Sequence, residues 1–146
     1  MKVHLNLATR DLAESVAFYS VLLDAQPAKK LADYALFVTE RPGLELALDL
    51  DPASRVGGGQ HFGLAVDSVE AVESSAARLA SAGYRIDVER EETCCYAVQS
   101  KVWASDPEGR RWETYVVHAE SEARDDASTT CCRTPEARER QAACCP

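Results

Sequence analysis

Polar and apolar residues alternate in two short segments of the chain, 3–8 and 61–66, as in half-buried strands. The two segments align when His4 is placed on His61, an offset of 57 residues. In each segment the histidine falls on the face opposite the apolar side chains. The sequence therefore predicts an internal repeat whose two copies each open with a strand.

A helical pattern follows each predicted strand. Apolar residues recur at three- and four-residue spacing within 12–23 and again within 69–79. Asp11 and Ser68 stand at matching positions just before these segments, and both residue types are favoured as helix N-caps. Gly83 fits the C′ position of the second helix. We therefore predict one helix after each opening strand.

Further strand-like runs complete the two halves. The predicted strands are 35–40, 44–50, 84–90, 96–105 and 110–117. Turn residues separate them at 41–43 and 106–109, and three glycines at 57–59 form a flexible joint between the halves. The sequence predicts an α+β fold of two tandem βαβββ modules, at about 1–56 and 60–117.

The segment 118–146 has a different composition from the rest of the chain. These 29 residues contain no Leu, Ile, Val, Met, Phe, Tyr or Trp. A segment without such residues buries too little apolar surface to offset the entropy lost on ordering. We predict that residues 1–117 form the domain and that 118–146 is a disordered, cysteine-rich tail.

The charge balance excludes some classes of partner. The chain carries 24 acidic and 16 basic residues, a formal charge of −8, which disfavours nucleic acid and anionic membrane surfaces. No apolar stretch approaches the roughly 18 residues of a membrane span, and the first residues lack the apolar core of a signal peptide. We expect a soluble, cytoplasmic protein.

All six cysteines occur in adjacent pairs: Cys94–Cys95, Cys131–Cys132 and Cys144–Cys145. Adjacent cysteines close a disulfide only as a strained ring, so the pairs do not indicate a secreted disulfide framework. Two neighbouring thiolates are a soft chelate for a thiophilic ion. The alternatives are chance pairing and, for the first pair, burial as small apolar residues. We predict that Cys94–Cys95 lies in a polar loop between two strands.

Candidate metal ligands lie on the predicted strands. His4, His61 and Glu113 supply two imidazoles and one carboxylate, the facial triad typical of non-haem Fe(II) oxygenases. A single strand histidine is more often structural, but the repeat gives these two equivalent positions. Glu45 aligns with Glu113, and as a fourth ligand it would make a two-His, two-Glu site for Ni, Zn or Mn. We expect instead that Glu45 does not touch the metal.

Other polar and aromatic residues have weaker patterns. Asn6, Tyr96, Gln99 and Tyr115 are candidates for the wall of a cleft. The two tryptophans, Trp103 and Trp112, are interpreted as sheet-packing or core residues. His118 follows the last predicted strand and is expected to be solvated, outside any metal site.

Several of these residues together carry a resemblance to a known superfamily. The tandem modules, His4, His61 and the run DPEGRRWE ending in Glu113 resemble the vicinal oxygen chelate superfamily over residues 2–117. That superfamily includes glyoxalases, extradiol dioxygenases and fosfomycin-resistance proteins. With Cys94–Cys95 and the cysteine-rich tail, the chain closely resembles bacterial carbon–arsenic lyases, which are Fe(II)-dependent dioxygenases that degrade trivalent organoarsenicals.

The resemblance implies a half-barrel with a metal site in its cleft. His4, His61 and Glu113 would be the catalytic metal ligands and hold Fe(II) for reaction with O₂, while Cys94 and Cys95 bind the arsenic of a methyl or aromatic arsenical. The products would be arsenite and an oxidised carbon fragment, a detoxification. The alternatives are a non-catalytic metalloid- or cadmium-binding protein and a glyoxalase-like metal-dependent lyase or resistance enzyme. The resemblance is compatible with a monomer or a homodimer.

Overall fold

The computed structural model describes residues 2–55, 61–94 and 96–122, with no side-chain description for Cys94. Within these ranges the elements are β1 (Val3–Thr9), α1 (Leu12–Leu22), β2 (Lys29–Lys30), β3 (Tyr34–Glu40), β4 (Gly43–Leu50), β5 (His61–Ala65), α2 (Val69–Ser81), β6 (Ile86–Cys94), β7 (Ala97–Ser105) and β8 (Arg111–Glu120). The predicted glycine joint, Cys95 and the two cysteine pairs of the tail lie outside the described residues.

The strands form two sheets with the same connectivity. Their strand orders are β1-β4-β3-β2 and β5-β8-β7-β6. In each sheet the opening strand pairs in parallel with the last strand, and the remaining pairs are antiparallel. The prediction of an α+β fold with two tandem βαβββ modules is confirmed.

Local capping chemistry sets the helix boundaries. The side chain of Asp11 accepts a hydrogen bond from the Glu14 amide at 2.9 Å, and the Ser68 hydroxyl accepts one from Ala71 at 3.3 Å. These contacts satisfy amide donors that have no partner inside the helix. After α2, Gly83 takes a φ of +85°, as expected for a C′ glycine. The predicted helix starts are confirmed.

The apolar core is continuous between the two modules. Its largest fully buried apolar and aromatic side chains are Phe18, Tyr19, Phe37, Leu46, Leu48, Leu79, Val102 and Trp112. Trp112 stacks on Phe62 with ring centroids 4.8 Å apart and meets Tyr19 edge-on at 5.7 Å. Because Tyr19 belongs to α1 and Trp112 to β8, these aromatic contacts join the two modules.

A buried polar network reinforces this junction. The Tyr19 hydroxyl donates to Asp106 Oδ2 at 2.7 Å and accepts a hydrogen bond from Trp112 Nε1 at 3.2 Å. Arg110 donates to the same Asp106 oxygen at 3.0 Å and to the Ala8 carbonyl at 2.6 Å. Burial is the largest cause of the raised pKa of Tyr19, and the charge and hydrogen bond of Asp106 add to it. The contacts of Tyr19 and Arg110 fix the turn between β7 and β8 to the first module.

Two strands, β6 and β8, end three or more residues beyond the predicted positions. β8 continues to Glu120 and pairs Ala119 with Val98, so the placement of His118 after the last strand was wrong. His118 is exposed, and its Nε2 lies 2.8 Å from Ser100 Oγ. β6 continues past a bulge that contains Glu91 at φ +51°. A bulge interrupts the alternation of side chains, and the polar end of β8 carries no apolar pattern.

The described residues contain no helix that is both long and apolar enough to span a membrane.

Candidate metal centre and cysteine hairpin

The second sheet brings His61 and Glu113 together on one face, here called the polar face. The parallel pairing of β5 with β8 places His61 opposite Arg111 and Gly63 opposite Glu113. The Glu113 side chain reaches diagonally toward His61, so that His61 Nε2 lies 3.6 Å from Glu113 Oε1. This contact joins two residues predicted as metal ligands.

The first sheet forms a different histidine–carboxylate pair. His4 lies directly opposite Glu45, and His4 Nδ1 is 3.5 Å from Glu45 Oε2. The residue of module two that matches Glu45 in register is Arg111, since Arg111 is opposite His61. The prediction that Glu45 and Glu113 are counterparts was therefore wrong by two positions. The sequence shows similar strand patterns, whereas the pairing register is set by the turns and the packing.

The two pairs remain separate within this chain. Among residues 2–55, 61–94 and 96–122, no three His, Cys, Asp or Glu side chains lie close enough to hold a metal ion. The structure thus joins His61 to Glu113 and His4 to Glu45, but it does not bring His4 to the His61–Glu113 pair. The triad of His4, His61 and Glu113 stays a prediction. Each pair nevertheless supplies the imidazole and carboxylate donors that suit first-row divalent metals.

A buried lysine lies next to Glu113 on the polar face. Lys101 Nζ is 3.0 Å from Glu113 Oε2, and the exposed fractions of the two side chains are 3% and 11%. Glu113 Oε2 is itself buried and accepts no hydrogen bond from the described residues, so this contact is an ion pair without hydrogen-bond alignment. Oε2 therefore has a cation as its neighbour, whereas Oε1 faces His61.

Gly63 allows the Glu113 side chain to lie against β5. A Cβ atom at position 63 would come within 3.2 Å of Glu113 Oε1 and 2.9 Å of Tyr115 Cε1. The lack of a side chain at Gly63 is therefore what makes room for the carboxylate beside His61. Tyr115, predicted as a cleft residue, is partly buried at the same place.

Trp103 flanks the histidine on the polar face. Its side chain is buried, as predicted, but it also meets the His61 ring edge-on at 5.3 Å between centroids. The Arg111 guanidinium lies 4.0 Å from the Trp103 ring centroid and Lys101 Nζ lies 5.4 Å from it. Sequence reasoning missed the contacts of Lys101 and Arg111 with this site. The one available signal was that Lys101 lies two residues from Gln99, a predicted cleft residue, because residues at this spacing share a face of a strand.

Cys94 stands at the end of β6 rather than in a loop. Its backbone pairs with Ala97 at the tip of the β6–β7 hairpin. Tyr96 completes the tip at φ +67° and is 54% exposed. The predicted loop location is therefore wrong for Cys94, because the strand extends beyond the bulge; Cys95 lies outside the described residues.

The other predicted cleft residues have identifiable surroundings. Gln99 is buried on β7, directly opposite Glu92 and Val117. Asn6 Nδ2 donates to Asp49 Oδ2 at 2.7 Å on the first sheet. Asn6 is thus held by a neighbour on its own sheet.

Two four-stranded modules with the same strand order, each with a histidine–carboxylate pair on its first and last strands, define the class of α+β fold. The chain belongs to the Glyoxalase/Bleomycin resistance protein/Dioxygenase superfamily, whose family model matches residues 3–114. This membership confirms the resemblance to the vicinal oxygen chelate superfamily.

Named relatives narrow the comparison. The chain is 38% identical over 145 residues to a "Probable trivalent organoarsenical cleaving enzyme" of Bacillus subtilis (strain 168), covering 98% of each chain. It is 39% identical to the "Trivalent organoarsenical cleaving enzyme" of Bacillus sp. (strain MD1), covering 97% of this chain and 88% of the relative. It is also 42% identical to the "Cadmium-induced protein CadI" of Mycobacterium bovis (strain ATCC BAA-935 / AF2122/97), covering 83% and 79%.

A solved structure agrees with the fold. The crystal structure of a glyoxalase/bleomycin resistance protein/dioxygenase from Alicyclobacillus acidocaldarius superimposes with a TM-score of 0.66 and 20% identity. The match covers 81% of this chain and 92% of that chain. It supports the architecture of the two modules.

Proposed function

We propose that this protein is an Fe(II)-dependent dioxygenase that cleaves the carbon–arsenic bond of trivalent methyl or aromatic arsenicals, releasing arsenite. The observation that carries the proposal is the contact of His61 with Glu113 in the same sheet as the β6–β7 hairpin that contains Cys94. Relatives named for organoarsenical cleavage support the substrate class.

The donor chemistry of the site fits ferrous iron. His61 Nε2 and Glu113 Oε1 face one another at 3.6 Å, and the second carboxylate oxygen is paired with Lys101 Nζ at 3.0 Å. His61 and Glu113 would hold the iron, and His4, which is not near them among the described residues of one chain, would join them from a second copy of the chain. An imidazole and carboxylate set of this size leaves positions open for other ligands. When bound there, ferrous iron supplies the redox activation of O₂.

His4 differs from His61 in the ring nitrogen that faces the neighbouring carboxylate. Its Nδ1 faces Glu45, which leaves Nε2 on the other side of the ring for a metal. A carboxylate that faces the second ring nitrogen orients a ligating histidine. We therefore assign Glu45 to the orientation of His4, and this favours three protein ligands over the four of a glyoxalase-like site.

The cysteines would select the substrate. Two adjacent thiolates bind a soft trivalent arsenic and leave its methyl or aryl carbon unbound. Holding that carbon near the metal site raises its effective concentration for the reaction with O₂. For methylarsenite the atoms balance without an external reductant, since CH₃As(OH)₂ and O₂ give CH₂O and As(OH)₃. The reaction therefore converts the organic arsenical to inorganic arsenite.

A direct test is arsenic speciation after the reduced, Fe(II)-loaded protein is mixed with trivalent methylarsenite in air. We expect arsenite from the unmodified protein and none from Cys94→Ser, Cys95→Ser or Glu113→Ala. The matched control is the double variant of Cys131 and Cys132 to Ser, which removes a cysteine pair of the tail and should keep the activity. Arsenite formation by the Cys95→Ser variant at the unmodified rate would refute the assigned role of the pair.

The second candidate function is non-catalytic binding of a thiophilic ion. It is favoured by the name of the cadmium-induced relative and by the three cysteine pairs of this chain. It predicts that methylarsenite or Cd(II) binds tightly and that methylarsenite is recovered unchanged from the protein. The speciation experiment separates the two candidates because only the dioxygenase yields arsenite.

A further inference from the structure

We propose that Lys101 is a positioning residue that fixes the Glu113 carboxylate, so that Oε1 alone is turned toward the metal site beside His61. This inference rests on the metal site of the proposed function, but it concerns a residue that does not itself bind the metal. The inference thus explains why the ammonium group of Lys101, on β7, is buried beside Glu113.

The first argument is that the two oxygens of Glu113 have different neighbours. Oε2 lies 3.0 Å from Lys101 Nζ, whereas Oε1 lies 3.6 Å from His61 Nε2. A cation at Oε2 lowers the tendency of that oxygen to share a second cation. The carboxylate is therefore held as a ligand through one oxygen, on the His61 side.

The second argument is the burial of the lysine. Lys101 is 2% exposed, and a buried ammonium group is strongly disfavoured unless a carboxylate compensates its charge. A Met or Leu at the same strand position would avoid that cost. Burying the ammonium group thus costs folding free energy, and its position 3.0 Å from Oε2 is suited to orienting the carboxylate.

The third argument is that strand pairing fixes the position of the lysine. β7 pairs with β8 so that Trp103 lies directly opposite Glu113 and Lys101 lies opposite Tyr115. The Lys101 side chain therefore approaches Glu113 diagonally, from the side opposite β5. On the β5 side, Gly63 makes room for the carboxylate, since a Cβ atom there would crowd Glu113 Oε1 at 3.2 Å. Lys101 thus contacts the carboxylate from one side, and Gly63 leaves the space that it fills on the other.

Substitution of Lys101 or Gly63 should weaken metal binding without removing a ligand. Lys101→Met keeps the length of the side chain and removes the charge, which frees Oε2 to join Oε1 on the metal or to turn away. Loss of such an outer contact typically lowers metal affinity by about 10- to 100-fold. Gly63→Ala should act from the opposite side, because the added methyl group displaces the same carboxylate.

The experiment uses the full chain freed of metal and titrated with Co(II), whose visible spectrum reports the number and geometry of its ligands. We expect Lys101→Met to weaken Co(II) binding by about 10- to 100-fold and to change the spectrum. Lys101→Arg, which restores the positive charge, should recover most of the affinity. The control is Lys2→Met, which removes another paired lysine, 2.6 Å from Glu40 on the first sheet, and should leave binding unchanged.

The outcomes separate this inference from the proposed function. If the unmodified protein binds Co(II) and Lys101→Met binds it with the same affinity and spectrum, the role of Lys101 is refuted and the metal site stands. If the unmodified protein does not bind Co(II), both are refuted. Thermal unfolding of each variant identifies a misfolded protein. If Lys101→Met is misfolded, Lys101→Gln, which also removes the charge, decides by its Co(II) affinity and spectrum.

Discussion

His61 Nε2 lies 3.6 Å from Glu113 Oε1, although the residue directly opposite Glu113 on the neighbouring strand is Gly63. The contact is diagonal and depends on the absence of a side chain at Gly63. In the first module His4 meets Glu45 directly across the strands and through the other ring nitrogen. The two modules share one topology, yet a different ring nitrogen of the histidine faces the carboxylate in each.

Replacing His61 with Ala should remove metal binding. The change deletes the imidazole that faces Glu113, so the affinity of the metal-free protein for Co(II) or Fe(II) should fall below detection. The control is His118→Ala, which removes an exposed histidine of the same sheet whose contact is with Ser100. Calorimetric titration measures both. Retained high-affinity binding by His61→Ala would contradict the assignment.

Replacing Glu45 with Gln should be tolerated. If Glu45 orients His4 rather than binding the metal, the amide oxygen of Gln can still face His4 Nδ1. We expect arsenite formation within about 10-fold of the unmodified protein, the lower limit for loss of an outer contact. Complete loss of metal from this variant would indicate the four-ligand, glyoxalase-like site instead.

Replacing Tyr19 with Phe should destabilise the junction of the two modules. The change leaves the buried Trp112 donor and the Asp106 acceptor without the hydroxyl that connects them. We expect the free energy of unfolding in urea to fall by about 1–3 kcal/mol. Tyr84→Phe is the matched control, since Tyr84 is only partly buried, and it should cost less than about 0.5 kcal/mol. Equal stability of the two variants would mean that the network does not hold the modules together.

The Arg10–Glu108 contact should make stability depend on acid pH. Burial on its own would raise the pKa of Glu108, but the hydrogen bonds and charge of Arg10 outweigh it, and the net pKa is lowered. The unfolded chain then binds a proton more readily, so this stabilisation is present above the unfolded pKa of roughly 4.3 and is lost as pH falls through the folded pKa. Urea unfolding midpoints should therefore fall less steeply below about pH 4 in Glu108→Gln than in the unmodified protein. Parallel profiles would refute this contribution.

Local signals in the sequence were enough to predict much of the fold. Asp11 and Ser68 predict the helix starts because a cap depends on residues three positions apart, and the structure shows both contacts. The end of β6 was not predictable in the same way. The bulge at Glu91 breaks the alternating pattern, and only pairing with β7 shows that the strand continues to Cys94.

The candidate site was predictable only in its ligand types. The internal repeat indicated His4 and His61 as candidate ligands, because it placed each histidine on the first strand of its module. Their partners depend on register, which is why Arg111 rather than Glu113 is the true match of Glu45. The ion pair of Lys101 with Glu113 joins two strands, and the local sequence shows only that Lys101 shares a strand face with Gln99, not that it meets Glu113.

The dioxygenase proposal is tested most directly by the stoichiometry of O₂ uptake and arsenite release when the Fe(II)-loaded protein is given methylarsenite, with no added reductant. We expect equal amounts of O₂ consumed and arsenite formed, formaldehyde as the carbon product, and no reaction when either Fe(II) or O₂ is omitted. Arsenite formed at the same rate without O₂ would contradict the dioxygenase reaction. Bound methylarsenite with no O₂ uptake would show a binding protein.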